Sequence, residues 1–259
     1  MIIAGIDVGA KNVHVVLLKD GEPIARVVVP SGFDHEESAT RGLAEAARSA
    51  DIDTQDVRAI AATGAGRKSL SSAAQRPTEV AADGKGASHL YPGARTVVDV
   101  GADEARAIRL SPEGKVLDFA INEKCAAGAG AFVEAMSRAL DMPLQEFARV
   151  SLESTQSIPM NAQCTVFAES EVVSLIHANT ASADIARSVH DAMASRVSAM
   201  VRRVGIDEPV VLGGGTALNV GFVSSLSTAL GGVEVNVLSD AEYLGAHGAA
   251  LIAWEATQS

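Results

Sequence analysis

The chain has 259 residues, of which 47% are hydrophobic, and this length is sufficient for one or two domains with a sizeable core. Its formal net charge of −11 disfavours a nucleic-acid backbone or an anionic membrane surface as partner, and its aromatic content of 3% disfavours a base-stacking surface. No apolar run approaches the ~18 residues of a membrane span, and the start MIIAGIDVGA has no basic leader, so we expect a cytoplasmic protein.

The first part of the chain is predicted to begin with a meander of three strands. Residues 2–18 (IIAGIDVGAKNVHVVLL) read as two apolar strands around the turn Asp7-x-Gly9, and KDGEPIARVVV adds a glycine turn and a third strand. An amphipathic helix is predicted over 35–51 and a buried strand over 57–64. This mixture of strands and helices indicates the α/β class.

A second copy of the meander is predicted further along the chain, with Asp99 standing 92 positions after Asp7. In residues 94–110 (ARTVVDVGADEARAIRL) the turn Asp99-x-Gly101 is in register with the first turn, and SPEGKVLDFAI repeats the third strand with one extra residue. Two copies are too few for a solenoid. They predict a duplicated, two-lobed α/β protein with a nucleotide cleft between the lobes.

The rest of the chain continues to alternate strands and helices. A long helix with a core-facing apolar stripe is predicted over 182–205, and Gly205 ends it. A strand, a triple-glycine turn and a helix are predicted over 209–230, and a closing helix over 241–256. The predicted divisions are an N-terminal lobe over 1–93, a C-terminal lobe with both cysteines over 94–240, and a last segment over 241–259 that packs back on the first lobe.

Each Asp-x-Gly turn is a candidate site for phosphate and magnesium. Glycine lets backbone N–H groups turn toward a phosphate, and a neighbouring carboxylate can hold Mg²⁺ through water. The segment LGGGTALN (212–219) is a third glycine-rich junction, whose amides could face phosphate or adenosine. One such motif alone is more often a simple tight turn. Two copies in register with a third glycine-rich junction predict that the chain binds a nucleotide.

The chain has two cysteines, and each is predicted to lie at the start of a helix. Cys125 lies in EKCAAGAGAFVEAMSRAL, and Cys164 lies in NAQCTVFAESEVVSL. A cytoplasmic compartment disfavours a structural disulfide between them. A helix N-terminus has partial positive charge and unpaired N–H groups, so it lowers a thiol pKa. The alternative is a pair of inert, buried thiols.

Two aspartate hairpins followed by a glycine-rich turn resemble the actin/sugar-kinase/Hsp70 ATPase superfamily, which has a ribonuclease H-like fold. NEKCAAGAGAFVE and NAQCTVFAESEVVSL resemble, more specifically, the cluster motifs of the ATPases that activate 2-hydroxyacyl-CoA dehydratases and of the ATPase subunits of benzoyl-CoA reductase. This resemblance covers nearly the whole chain. It implies ATP and Mg²⁺ as ligands, with a 4Fe-4S cluster held between two subunits. Since such a cluster normally needs four thiolates, a dimer supplies the ligands that one chain lacks.

The resemblance also implies partners and roles for particular residues. The implied electron donor is ferredoxin or flavodoxin, and the implied acceptors are catalytic acyl-CoA reductase or dehydratase subunits. Glu134 is implied near the ribose, although an exposed surface glutamate fits the sequence equally well. The expected catalytic residues are Asp7, Asp99 and Asp103; the expected nucleotide-binding residues are Gly9, Ala10, Lys11, Asn12, Gly101, Ala102, Gly128, Gly130, Glu134, Gly213, Gly214 and Gly215; the expected cluster ligands are Cys125 and Cys164.

The second hairpin departs from the family pattern. Family ATPases often read Asp-Ile-Gly-Gly-Gln-Asp where this chain reads DVGADE, so Asp103 replaces a glutamine that would orient the attacking water. The variant resembles the diverged second ATPase subunit of benzoyl-CoA reductases. It therefore slightly favours a benzoyl-CoA reductase as the catalytic partner, and a heterodimer with a homologous ATPase subunit.

Three other functions stay open at this point. A homodimeric activator of 2-hydroxyacyl-CoA dehydratase satisfies the same count of cysteines. A small-molecule kinase of the same superfamily needs inserted segments for a substrate pocket and leaves both cysteines idle. A redox sensor with a cluster and a degraded ATP site is consistent with Asp103.

Overall fold

The structure is a computed structural model, and it describes residues 1–122, 129–160 and 165–258. Over these residues the strands are, in chain order, β1 Ile2–Val8, β2 Asn12–Lys19, β3 Glu22–Pro30, β4 Val57–Thr63, β5 Thr96–Val100, β6 Ala105–Leu110, β7 Val116–Asn122, β8 Val210–Gly213 and β9 Val235–Val237. The helices are α1 His35–Ser49, α2 Glu79–Leu90, α3 Gly130–Ala139, α4 Leu144–Val150, α5 Thr165–His177, α6 Ser182–Val204, α7 Val220–Ala229 and α8 Leu244–Ala256.

The chain folds into two compact units. The first contains Met1–Ala94, Leu110–Leu117 and Leu238–Ser259, and the second contains Arg95–Arg109 and Asp118–Val237. The lobe boundaries of the sequence analysis stay a prediction. Within the described residues, no helix is both long enough and apolar enough to cross a membrane.

The first unit is built on a sheet with the strand order β3-β2-β1-β4. β1 pairs antiparallel with β2 and parallel with β4, so Asp7 stands opposite both His14 and Thr63. β1 is central and covered on both faces, which explains its nearly continuous apolar sequence. The first predicted meander is therefore confirmed, as is the buried strand that follows the first helix.

Glycines allow close packing of α8 in the first unit. A Cβ atom added at Gly5 of β1 would lie 1.9 Å from the carbonyl oxygen of Ala246. One added at Gly248 would lie 1.8 Å from the carbonyl oxygen of Ala82 on α2. α8 therefore approaches both β1 and α2 at backbone distance.

Helix boundaries in the first unit follow from local hydrogen bonds. α1 begins after Asp34, whose carboxylate accepts from the backbone N–H groups of Glu36 and Glu37 at 2.9 and 3.0 Å. The closing helix was predicted from residue 241, but a 3-10 turn occupies Ala241–Tyr243 and α8 begins at Leu244.

The second unit is built on a sheet with the order β7-β6-β5-β8-β9. β5 pairs antiparallel with β6 and parallel with β8, which repeats the pattern of the first sheet. The second predicted meander is confirmed by this arrangement. β7 is an edge strand, and several of its apolar side chains are exposed.

The long helix α6 supplies much of the core of the second unit. The predicted stripe is confirmed, because Ile185, Val189, Met193, Val197 and Val201 are all buried. The sixth predicted member, Met200, is half-buried. The helix ends at Gly205, which adopts a φ of +89° that side chains with a Cβ rarely adopt.

Candidate functional site

The first candidate site residues lie where β1 turns into β2. The N–H of Gly9 donates to the carbonyl oxygen of Asn12 at 3.0 Å, and a Cβ at Gly9 would lie 2.8 Å from that oxygen. Ser31, which follows β3, stabilises the turn through two hydrogen bonds. Its hydroxyl donates to the carbonyl of Gly9 at 2.6 Å, and its backbone N–H donates to the carbonyl of Lys11 at 2.9 Å. Ala10 and Lys11 are exposed at the tip, where a phosphate can reach them.

The carboxylate of Asp7 lies among glycines just before this turn. A Cβ at Gly64, whose φ is +87°, would lie 2.3 Å from Asp7 Oδ1. A Cβ at Gly245 would lie 2.8 Å from Asp7 Oδ2 and 3.3 Å from Oδ1 of Asp83. Two carboxylates therefore converge on the same glycine at the start of α8.

Asp83 was missed by the sequence analysis. It lies inside α2, where no motif marks it, and only 1% of its surface is exposed. The available signal was a carboxylate within the small-residue segment VAADGKG, since charged side chains are rarely so fully buried.

The loop after β4 is fixed beside Asp7. The N–H of Gly66 donates to the carbonyl oxygen of Val8 at 2.9 Å. Arg67 donates to the carbonyl of Gly64 at 2.9 Å and to the carboxylate of Glu79 at 2.7 Å. These bonds tie the loop both to the end of β1 and to the start of α2.

In the second unit, Asp99 occupies the position that corresponds to Asp7 but has different surroundings. Its carboxylate is 4% exposed and accepts from Nη2 of Arg106 at 2.6 Å, and Arg106 also pairs with Glu104. Asp99 and Arg106 face each other across the β5–β6 hairpin. The charge of Asp99 is thus balanced inside the unit, whereas Asp103 is exposed at the hairpin tip.

The β5–β6 turn and the start of α3 are joined by backbone hydrogen bonds. The N–H of Gly130 donates to the carbonyl of Gly101 at 2.8 Å, and that of Ala131 donates to the carbonyl of Ala102 at 2.8 Å. The structure thus brings together Gly101, Ala102 and Gly130. The N–H groups of the first two residues of α3 therefore donate to the hairpin.

The triple-glycine junction lies beside the same hairpin. Gly213 pairs with Asp99 across the two parallel strands. Gly214 has a φ of +81°, and a Cβ there would lie 2.3 Å from the carbonyl oxygen of Val100. A Cβ at Gly215 would meet nothing within 4 Å, so this glycine borders open space.

That open space is a pocket of about 170 Å³. Of the predicted nucleotide-binding residues, Gly130 and Gly215 line it. Glu134, one residue beyond the lining residue Val133, is half-buried and does not line the pocket. The other lining residues are Val133, Leu144, Gln145, Ala148, Thr216, Leu218 and Asn219. The last three belong to the predicted glycine-rich junction 212–219, whereas the first four had not been predicted as site residues.

The pocket walls suit a flat, mostly apolar group such as a nucleobase. Leu144 and Ala148 come from the short helix α4, which had not been predicted. Asn219 is fixed as the N-cap of α7, because its Oδ1 accepts from the N–H of Phe222 at 2.9 Å.

Three predicted residues lie outside the described residues: Gly128, Cys125 and Cys164. α3 begins at Gly130 after the N-cap residue Ala129, and α5 begins at Thr165, directly after Cys164 in the sequence. Glu169 and Glu171 lie within α5.

Comparison with known proteins identifies relatives along the whole chain. The model of the BadF/BadG/BcrA/BcrD ATPase family matches residues 4–253. The activator of lactoyl-CoA dehydratase from Anaerotignum propionicum is 38% identical, over 100% of this chain and 99% of its own length. The (R)-2-hydroxyglutaryl-CoA dehydratase activating ATPase from Acidaminococcus fermentans is 37% identical, over 97% and 96%. One of the subunits of benzoyl-CoA reductase from Thauera aromatica is 32% identical, over 96% and 92%.

Solved structures confirm the predicted fold. The activator of 2-hydroxyisocaproyl-CoA dehydratase from Clostridium difficile, with bound ADPNP, superposes with a TM-score of 0.94 at 32% identity. The match covers 100% of this chain and 96% of that activator. A glucokinase from Streptomyces griseus superposes with a TM-score of 0.58 at 15% identity. The match covers 98% of this chain and 100% of the glucokinase, and at this low identity it shows a shared fold only. The fold is thus the two-sheet α/β fold of actin-like ATPases and sugar kinases.

Proposed function

The chain belongs to the BadF/BadG/BcrA/BcrD ATPase family, and from this premise we propose that it is an ATP-hydrolysing activator of a 2-hydroxyacyl-CoA dehydratase. In this role it passes a low-potential electron from ferredoxin or flavodoxin to the catalytic partner. The observation that carries the proposal is the full-length similarity, at 38% and 37% identity, to two proteins named as dehydratase activators. The motifs around the two cysteines support the electron-transfer part.

A 4Fe-4S cluster fits the donor set of this chain only if two subunits share it. The chain has two cysteines, whereas such a cluster normally takes four thiolates. Cys125 and Cys164 would therefore each supply one ligand, and a second ATPase subunit would supply the other two. When bound, the cluster provides a one-electron carrier of low potential.

Each unit contains candidate nucleotide-binding residues. In the first unit Asp7 is the candidate partner of Mg²⁺, through water, and the turn of Gly9, Ala10, Lys11 and Asn12 is the candidate phosphate site. Gly64 and Gly245 pack directly against the carboxylate of Asp7, where a residue with a Cβ would clash with it. In the second unit the adenosine would occupy the pocket that Gly130 and Gly215 line.

Asp99 has a positioning role in this proposal. Its carboxylate is held by Arg106, so it fixes the β5–β6 hairpin and leaves Asp103 projecting at the tip. A carboxylate at that tip repels the negative charge that develops on the γ-phosphate, so we expect slow hydrolysis. Electron transfer would then depend on ATP binding more than on rapid turnover.

A second candidate acceptor is benzoyl-CoA reductase. It is favoured by Asp103, which replaces the glutamine of typical family members, and by the 32% identity to the benzoyl-CoA reductase component from Thauera aromatica. In that case the chain would pair with a homologous ATPase subunit, whereas a dehydratase activator would be a homodimer.

The test is to purify the protein anaerobically without partners and to measure its mass, iron content and ATPase activity. We expect a brown dimer with about four irons. The reduced protein should then activate a 2-hydroxyacyl-CoA dehydratase component in an ATP-dependent way, assayed with lactoyl-CoA. Activation of benzoyl-CoA reductase alone would select the second candidate. A colourless protein that phosphorylates a metabolite would instead identify a kinase, and a brown protein without nucleotide binding would identify a redox sensor.

A further inference from the structure

A second pocket, of about 350 Å³, lies in the second unit between α6 and the strands β6 and β7. Its floor is apolar and consists of the buried residues Ala105, Ala120 and Val197. Asn122, Arg196 and Arg203 supply its polar groups. None of the described residues that line it lines the nucleotide pocket near Gly215.

Neither of the two arginines has an ion-pair or hydrogen-bond partner among the described residues. The chain has 32 acidic and 21 basic residues, so acidic partners are abundant. Two other arginines of the same helix do have partners. Arg187 pairs with Asp191 at 2.7 Å, and Arg202 donates to the carbonyl of Ala229.

Helix geometry places both arginines on one side of the pocket. Arg196 and Arg203 are seven residues apart on α6, which is about two turns and about 10 Å along the axis. Arg196 is half-buried, whereas Arg203 is exposed. Two positive charges therefore stand above an apolar floor, with one amide side chain nearby.

We propose that this pocket binds a small organic anion, with a carboxylate or phosphate group held by Arg196 and Arg203 and an apolar body on the floor. Guanidinium groups bind carboxylate and phosphate oxygens through paired hydrogen bonds. The volume lies in the range of small-molecule pockets, and the mixture of an apolar floor with few polar groups is typical of them. An acidic segment of another protein would use the two charges but would leave the enclosed floor unfilled.

The probe is anilinonaphthalene sulfonate, a fluorescent anion with an apolar body, titrated into the purified protein without nucleotide. We expect binding that weakens by at least about fivefold in Arg196→Gln and in Arg203→Gln. Arg202→Gln is the matched control, because it removes the same charge from the same helix outside the pocket, and it should change the affinity by less than about twofold.

A second variant tests the proposal if Arg196→Gln proves unstable. Ala199 lines the pocket and is exposed, so Ala199→Glu adds a carboxylate there without disturbing the core, and glutamate is a good helix former. It should weaken probe binding by at least about tenfold. Equal probe affinity in the wild type, Arg203→Gln and Ala199→Glu would overturn the proposal.

Two competitors distinguish the anionic group of the ligand. Displacement of the probe by phenyl phosphate at lower concentration than octanoate assigns a phosphate ester, and the reverse order assigns a carboxylate. If neither phenyl phosphate nor octanoate displaced a probe whose binding depends on the arginines, the proposal of a small-anion site would be refuted. The measurement requires neither ATP nor iron, so its result is independent of the proposed ATPase activity.

Discussion

Asp7 and Asp99 occupy equivalent positions in a repeated hairpin, yet their carboxylates meet different neighbours. Asp7 faces the glycines Gly64 and Gly245, whereas Asp99 is held by Arg106. The repeat in the sequence predicted the equivalence but not the difference. The signal was present, because Arg106 stands directly opposite Asp99 once the hairpin is assumed, and directly opposed residues in antiparallel strands interact.

The Asp7→Asn variant tests the magnesium assignment. Removal of the charge should weaken Mg-ATP binding by at least about tenfold, because Mg²⁺ prefers anionic oxygen ligands and the amide offers none. The measurement is calorimetric titration with a non-hydrolysable ATP analogue and Mg²⁺. Asp51→Asn is the control, since Asp51 is exposed with a φ of +55°, a conformation that asparagine tolerates. Wild-type affinity in Asp7→Asn would contradict the assignment.

The Asp103→Gln variant tests the role of the hairpin tip. It removes a charge that opposes the transition state and restores an amide that can orient water, so the ATPase rate should rise by about threefold or more. The steady-state rate of phosphate release measures this effect. Asp118→Asn, an exposed aspartate of the same unit, is the control. An unchanged or lower rate in Asp103→Gln would place the attacking water elsewhere.

His190 gives the second unit a pH-dependent stability. Burial lowers the pKa of His190 to about 4, from an ordinary value of 6.5, so the folded protein keeps this imidazole neutral. The unfolded chain takes up the proton below pH 6.5, and stability therefore falls as the pH decreases from about 7 toward 4. We expect a loss of about 2 kcal/mol at about pH 5 from this residue.

Urea unfolding of the apoprotein at several pH values measures this dependence. His190→Gln should weaken it, because glutamine does not titrate and its amide can replace the 2.7 Å contact of Nδ1 with the carbonyl of Ala186. Part of the dependence should remain, because burial also lowers the pKa of His247 in the first unit to about 4. His177→Gln is the control, since His177 is exposed. If both variants kept the wild-type dependence, the titrating group would be another one.

At the scale of elements, the pattern of apolar residues predicted both meanders, α1 and α6, because each buries one regular face. It did not predict α4, a helix of seven residues that is too short to show a period. It also did not predict which helices and strands would pack at backbone distance through glycine residues. α2 and α8 lie at backbone distance because Gly86 and Gly248 lack side chains, and sequence periodicity does not report such pairings.

Gly248→Ala tests this helix contact. The added methyl group would lie 1.8 Å from the carbonyl oxygen of Ala82, so α8 must move away from α2, and we expect a loss of about 3 kcal/mol in unfolding free energy. Gly84→Ala, on α2, is the matched control. Its methyl group would lie 3.1 Å from a side-chain atom of Val116, which can move, and the effect should stay within about 1 kcal/mol. Similar stability of the two variants would argue against backbone-limited packing.

At the scale of the whole molecule, the chain alone cannot complete the proposed cluster site. The family resemblance implied this, because the cluster that it implies takes four thiolates and the chain has two cysteines. Cysteine count cannot choose between a homodimer and a heterodimer, since both supply four.

Mixed dimers test whether two subunits share one cluster. Wild-type chain and a Cys125→Ser/Cys164→Ser chain carry different affinity tags, are produced together anaerobically, and are purified over both tags in sequence. A shared cluster loses two of its four ligands in the mixed dimer, so its iron content should fall close to zero, while the wild-type dimer keeps about four irons. If each chain instead bound iron by itself, the mixed dimer would retain half of the wild-type content, and the shared-cluster proposal would fail. Thermal unfolding of the mixed dimer provides the control, because serine and cysteine are similar in size and the fold should survive the exchange.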